Sequence, residues 1–296
     1  MKKVVLLLPI LAGIMFGSVG VFVRTLSTYG MDNVTILFLR VAFASLVIFI
    51  GIMIYDRTLL KIKLKDGLIF VGTGILGMMC LNLCYNEAIN RLSLSLAAVL
   101  LSTAPIFVMF LAAIIFKEKV TARKIVCMLC AIVGCVLVSG LLEQGAGSIS
   151  WQGLCTGIAA AVFYALYSIF SRLATDRGYH TYTVIIYSVL IITLALFPFS
   201  DFDKMGNFLA EDTIFHLLFL LIHSLCTSVL PYVFITYALL YAEAGRVSIL
   251  ASGGEPIAAV IFGIIFYVEI PSLLMLIGLV VTILALTFLC MEPEKK

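Results

Sequence analysis

Ser102-Thr103-Ala104-Pro105, followed thirteen residues later by Glu118, is matched in the second half of the chain by Gly253-Gly254-Glu255-Pro256, followed after the same interval by Glu269. Each copy lies in an apolar run that ends at the acidic residue. A repeat of about half the chain length is too long for a solenoid unit. In so apolar a chain it predicts two homologous bundles of membrane helices, the arrangement of many secondary transporters.

The duplication extends upstream of these stretches. Phe16-Gly17, with Arg24 after them, align at a constant offset with Tyr164-Ala165, which are followed by Arg172. Between the copies lies a polar, glycine-rich segment that is typical of a flexible connector. We therefore predict a first five-helix repeat over residues 1–142, a linker over 143–150 and a second five-helix repeat over 151–296.

Composition places the chain in the membrane class. Of its 296 residues, 63% are hydrophobic and 12% are charged, and the mean hydropathy is +1.21, whereas soluble domains carry about 25% charged residues. The basic residues behind the net charge of +3 are scattered among short loops, so no nucleic-acid-binding face is predicted. The eight cysteines lie inside apolar runs, which favours buried small side chains over disulfides or metal ligands.

A helix of about 20 apolar residues spans the hydrocarbon core of a bilayer, and ten such segments follow one another. We predict spans at 4–23, 33–55, 67–89, 92–116, 125–142, 149–171, 180–199, 213–241, 247–268 and 271–291. The loops between them are too short to hold a soluble domain. Glycines on these spans, among them Gly13, Gly17 and Gly157, predict close helix contacts within the chain.

The distribution of lysine and arginine predicts the orientation, because cytoplasmic loops carry an excess of both. With the N-terminus inside, the inner segments hold fifteen basic residues, and the outer loops hold only Arg24, Arg91 and Lys204. Both termini are therefore expected in the cytoplasm. Because each repeat has an odd number of helices, the second must be inverted relative to the first.

Together these features resemble the EamA family of the drug/metabolite transporter superfamily, over almost the whole chain. The residues that carry the resemblance are Phe16-Gly17-Ser18, Arg40, Tyr85 with Ala88, the Pro105 to Glu118 spacing, Tyr237-Ala238 and the Pro256 to Glu269 spacing. The family often has tryptophan where this chain has Phe16 and Tyr164. The resemblance implies a ten-helix carrier with a central cavity between the repeats, which moves small metabolites and often exports amino acids.

The duplicated residues are interpreted as framework. In inverted repeats Glu118 and Glu269 lie at opposite faces of the membrane, so one substrate cannot contact both. We expect them to be helix-end carboxylates that meet neighbouring cations or amides. Pro105 and Pro256 lie about 20 Å from those ends, well inside the membrane, where we expect them to break their helices.

The positions at which the two copies differ are the better candidates for the site. Glu255 aligns with Ala104, and Arg40 aligns with Ser188. A charge within the bilayer is costly and is a functional candidate by default. Glu255 is expected to bind a substrate amine or carry a coupling proton. The alternative is a structural pair of Arg40 and Glu255 that joins the second and ninth helices.

Further polar side chains are candidates for binding substrate. Asn82, Tyr85 and Asn86 share a face at the end of the third span. Tyr164 and Tyr237 offer hydroxyl groups, and Ser102 could contact a ligand or bond back to a carbonyl near Pro105. His216 and His223 share a helix face, but no nearby acid completes a ligand set, so neither a metal nor a cofactor is expected.

The predicted function is secondary active transport of small metabolites by alternating access in the plasma or inner membrane, as a monomer or homodimer. Export of amino acids or related compounds is the first choice, with a proton as the candidate coupling ion. Drug efflux and metabolite uptake are the alternatives within transport. A receptor or an intramembrane enzyme is the alternative from another class, although the sequence has no zinc-binding HExxH and no Gly-x-Ser-x-Gly.

Overall fold

The computed structural model describes residues 7–117, 121–138, 142, 150–239 and 244–290, and every regular element among them is helical. We number the long helices in chain order as α1 (Leu7–Thr28), α2 (Asn33–Tyr55), α3 (Leu64–Arg91), α4 (Leu94–Ile115), α5 (Ala122–Val138), α6 (Trp151–Asp176), α7 (Thr181–Phe199), α8 (213–239), α9 (Ala244–Tyr267) and α10 (Leu273–Cys290).

Seven of the described helices, α1 to α4 and α6 to α8, are long and apolar enough to cross a membrane. The apolar parts of the other three are shorter, at Ile125–Val138, Gly254–Tyr267 and Leu273–Ala285. The all-helical membrane class predicted from composition is therefore confirmed. The assignment of ten spans to two inverted repeats stays a prediction.

The first helix differs from its predicted span. It is interrupted at Ser18, whose hydroxyl donates to the Met15 carbonyl (2.6 Å), and then continues to Thr28. Arg24 therefore lies within α1, so the predicted end of the first span at residue 23 was wrong. The assignment of Arg24 to the outer face stays a prediction. The helix can hold a guanidinium here because oxygen atoms from neighbouring segments surround it, as described below.

Two helices contain π-helical turns that the sequence did not predict. One covers Gly72–Met79 in α3, and the other covers Leu225–Val229 in α8. These wider turns are rare and often occur at functional sites. Both segments contribute a residue, Met78 and Thr227, to the wall of the central cavity.

The two prolines expected to break helices behave differently. Helix α4 is interrupted at Thr103, and Pro105 lies in the first turn of the following segment, where its missing N–H removes no hydrogen bond. Pro256 lies inside α9, which runs without interruption through it. The expected break at Pro256 is therefore absent, since an internal proline removes a single helical hydrogen bond and α1 packs closely against this part of α9.

Close helix contacts form at the predicted glycines. Gly13 of α1 lies against the backbone of Gly254 in α9, and Gly157 of α6 lies against Leu100 in α4. In a bilayer such close approach replaces the hydrophobic effect as the source of helix association. The prediction that these glycines pack within the chain is confirmed.

The helices pair over long distances in the sequence. Helix α1 packs on α9, α6 on α3 and α4, α2 on α7, α5 on α10, and α8 on α1 and α2. A large buried apolar cluster joins the C-terminal ends of α1 and α3 to the N-terminal ends of α2 and α4, with Val23, Leu26, Ile36, Ile89 and Leu94 among its members. These ends lie on the face that the basic residues assign to the outside.

A short helix, Phe202–Glu211, connects α7 to α8 and was not predicted. The carboxylate of Asp201 begins it by accepting the backbone N–H of Lys204 (3.0 Å), and the N–H of Asp201 donates to the Thr35 hydroxyl (2.9 Å). The Lys204 N–H and the nearby Lys204 ammonium group lower the pKa of Asp201. This cap attaches the α7–α8 connection to the start of α2.

Candidate substrate cavity

A cavity of about 300 Å³ lies among α1, α2, α3, α4, α6, α8 and α9. This volume is at the lower end of the range for pockets that bind small molecules. The wall combines apolar side chains with a few polar groups, as ligand sites commonly do. Its polar and aromatic members are Phe16, Arg40, Asn82, Tyr85, Tyr164, Tyr167, Thr227, Tyr232 and Glu255.

Arg40 of α2 is held at the cavity wall by α3 and α8, with only 3% of its surface exposed. Its guanidinium donates to the Asn82 side-chain oxygen, and the amide nitrogen of Asn82 donates to the Met78 carbonyl (2.6 Å). The Ser224 hydroxyl donates to the backbone carbonyl of Arg40 (2.9 Å). Arg40 Nε is buried and has no hydrogen-bond partner among the described residues.

Glu255 of α9 reaches the same cavity from the second half of the chain. The Tyr85 hydroxyl, on α3, lies next to its carboxyl group. Ion pairs among the described residues join other groups, and none links Arg40 to Glu255. The alternative of a direct structural ion pair between them is therefore not seen. Each charged group instead has a neutral partner on α3.

Five of the eight substrate-binding candidates face this cavity, namely Arg40, Asn82, Tyr85, Tyr164 and Glu255, and the other three do not line it. Asn86 is 1% exposed and neither atom of its amide has a partner among the described residues. The Ser102 hydroxyl donates to the Ala98 carbonyl (2.8 Å), which is the backbone alternative. Tyr237 is 47% exposed and lies outside the lining.

Three polar residues outside the eight candidates also line the cavity. Tyr167 follows Tyr164 by three positions, so a shared helix face was a usable signal. Tyr232 and Thr227 had no such signal, because the π-helical turn at Leu225–Val229 changes which residues of α8 face inward.

His216 and His223 are both buried side chains of α8. His223 is fully buried and its ring stacks on Phe22, with 4.9 Å between centroids, and neither ring nitrogen has a partner among the described residues. His216 contacts the Phe208 carbonyl through Nδ1. Within the described part of the chain, no group of three metal-binding side chains comes together.

Of the two predicted helix-end carboxylates, Glu269 lies among the described residues. Glu269 accepts from Arg24 (2.6 Å) and from the backbone N–H of Leu94 (2.8 Å). These partners are a cation and an amide. Glu118 lies outside the described residues.

A bundle of apolar helices around a cavity with isolated charged groups is the architecture of a membrane transport protein. Comparison with known families agrees, since residues 3–140 and 151–291 each match the EamA-like transporter family. The chain therefore belongs to this family, within the drug/metabolite transporter superfamily.

Individual relatives are distant but cover most of the chain. The Pseudopaline exporter CntI of Pseudomonas aeruginosa strain UCBPP-PA14 is 25% identical over 94% of this chain and 93% of its own length. An uncharacterized transporter of Archaeoglobus fulgidus is 24% identical over 91% of this chain and 90% of its own. A solved crystal structure matches with a TM-score of 0.63 at 15% identity, covering 97% of this chain and 96% of that one, which establishes similarity of fold.

Proposed function

We propose that this protein is a secondary active carrier that exports amino acids or related small metabolites by alternating access across the cell membrane. Its termini lie in the cytoplasm, and its substrate binds in the central cavity. The observation that carries the proposal is the convergence of Arg40 from the first half and Glu255 from the second half on one small cavity. Charged groups inside a bilayer are costly and are retained mainly where they bind or carry ions.

Duplicated backbone features support ten spans in two inverted repeats, residues 1–142 and 151–296 with a linker at 143–150. Lys117 and Val268 both have positive φ angles, 56° and 57°, and they immediately precede the duplicated Glu118 and Glu269. The two π-helical turns lie in the third helix of each proposed repeat. The α1–α9 contact likewise corresponds to the α6–α4 contact.

The charges of the cavity favour a ligand that carries both a carboxylate and an amine. The Arg40 guanidinium can donate hydrogen bonds to the carboxylate through its fork of N–H groups. Glu255 can accept the ammonium group if the ligand replaces Tyr85. Outward direction is favoured by a similar protein whose name describes an exporter.

Glu255 is also our candidate for the coupling proton. Its carboxyl group contacts a neutral hydroxyl, not a cation, so the ligand and the proton compete for the same oxygen atoms. Export would then be driven by a proton that binds from the outside after the substrate leaves. This exchange explains why a carboxyl group is needed at a position where the first half of the chain has Ala104.

The test is counterflow of radiolabelled amino acids in proteoliposomes, with and without an imposed proton gradient. We expect Arg40→Gln to abolish saturable exchange, Glu255→Asp to retain part of it, and Glu255→Gln to lose its dependence on pH. Glu211→Gln, at an exposed carboxylate of the short helix, is the matched control and should behave as wild type. Unsaturable conductance would refute the carrier, and normal pH dependence in Glu255→Gln would refute the proton role.

A further inference from the structure

Arg24 connects three separate segments at the face assigned to the outside. Its Nη1 donates to Glu269 (2.6 Å), its Nε donates to the Ile89 carbonyl (3.0 Å), and its Nη2 donates to the Leu92 carbonyl (2.5 Å). The second carboxylate oxygen of Glu269 accepts the Leu94 backbone N–H (2.8 Å). The end of α1, the link between α3 and α4, and the end of α9 are thus joined through one side chain.

The backbone next to Glu269 is adapted to this contact. Val268 has a φ of 57°, a strained conformation for a β-branched residue. Its neighbour Tyr267 places its ring 4.5 Å from the Arg24 guanidinium and donates to the Val21 carbonyl (3.2 Å). A Cβ at Gly263 would lie 2.9 Å from the Glu269 carboxylate oxygen, so a side chain there would have to displace that carboxylate. The strain at Val268 persists because these contacts outweigh it.

Buried apolar side chains separate the contacts of Arg24 from the cavity. Between Arg24 and the cavity, the buried apolar cluster containing Val23 and Ile89 fills the space among α1, α2, α3 and α4. Separation of α1 and α9 from the α3–α4 link would open a path from the cavity to this face. Any such movement breaks the contacts of Arg24 together.

We propose that Arg24, Glu269 and Tyr267 form an outer latch, which holds the cavity closed to the outside and opens once in each transport cycle. The proposal rests on the alternating access proposed above. A related contact lies at the other face, where the Arg172 guanidinium is 4.1 Å from the Phe116 ring and joins α6 to α4. The two contacts occupy corresponding positions in the two halves.

The test measures access to the cavity from outside. Leu101, which lines the cavity, is changed to cysteine, and right-side-out vesicles of the full chain are treated with a membrane-impermeant maleimide. Mass spectrometry of the peptide containing residue 101 separates this thiol from the native cysteines. We expect Arg24→Gln and Glu269→Gln each to raise the labelling rate about tenfold, which corresponds to about 1.4 kcal/mol in the closing equilibrium. The double variant should not exceed Arg24→Gln, because that single change already removes the Arg24–Glu269 contact.

Arg91→Gln is the matched control. The Arg91–Glu87 ion pair lies on the same face but within one helix, so it cannot hold two segments together. Unchanged labelling in both latch variants, with melting temperatures near that of wild type, would overturn the latch, and so would an equal rise in Arg91→Gln. Should one latch variant fail to fold, the other decides. Labelling needs no substrate, so absent amino acid counterflow together with the expected labelling would reject the proposed substrate and keep the latch.

Discussion

Adding one methyl group to Gly17 should push α1 and α9 apart. A Cβ at this position would lie 2.6 Å from the Ala258 Cβ and 2.7 Å from the Glu255 carbonyl oxygen. Carbon atoms in normal contact are about 3.5–4.0 Å apart, so the helices must separate by about 1 Å. Overpacking of this kind costs about 1–3 kcal/mol. The movement also displaces the backbone that positions Glu255 in the cavity.

The assay is thermal unfolding in detergent, followed with a maleimide dye that reacts with Cys127 and Cys135 as they become exposed, since both are buried in the folded chain. We expect Gly17→Ala to lower the melting temperature by about 2–4 °C for each kcal/mol lost. Gly51→Ala is the control, because a side chain there meets nothing within 4 Å.

A second substitution sharpens this test. Ala258→Gly, combined with Gly17→Ala, removes one of the two close contacts and leaves the contact with the Glu255 carbonyl. The double variant should therefore recover part of the lost stability. If Gly17→Ala melts at the same temperature as Gly51→Ala, the close packing of α1 on α9 is not what the structure indicates.

Two further predictions concern a buried ring and a helix cap. His223→Phe should raise the melting temperature, because the new ring keeps the stacking on Phe22 and removes two buried nitrogens that have no partner among the described residues; a lower melting temperature would show that the imidazole has a polar partner. Asp201→Ala should speed amide exchange across Phe202–Glu211 at pH 7, because the cap on the Lys204 N–H is lost. Because the pKa of Asp201 is lowered, the stability that its carboxylate gives the helix is complete above about pH 4 and is lost as the pH falls further. At low pH the exchange rates of wild type should therefore approach those of Asp201→Ala. Asp203→Ala is the control and should match wild type at every pH.

Much of the fold was predictable because helix length and apolar composition report directly on the bilayer. The positions of α2 and α4 agree closely with the predicted spans, and the described glycine contacts form within the chain as expected. The predicted end of α1 was wrong because an arginine, considered without its tertiary partners, indicates the end of a membrane span. Arg24 stays in the helix through partners supplied by α3, by the α3–α4 link and by Glu269, just after α9.

The candidate site was predictable where charge made it conspicuous. Arg40 and Glu255 were conspicuous because a charged side chain inside a membrane span is energetically costly. Both line the cavity. Tyr232 and Thr227 did not stand out, because hydroxyl groups are common in membrane helices and the π-helical turn in α8 alters their direction. Asn86 was chosen from its helix face and is instead buried away from the cavity lining.

The amino-acid sequence by itself determined the membrane class, the positions of most helices, the family and the charged residues that are candidates for the site. These properties depend on composition and local periodicity, because each helix must match the hydrocarbon core of the bilayer by itself. Only the tertiary structure decided the partners: Arg40 contacts Asn82, Glu255 contacts Tyr85, and Arg24 meets a carboxylate 245 positions away. The physical reason is that a partner is chosen by how helices cross and turn against one another, and that geometry depends on contacts between segments far apart in the chain.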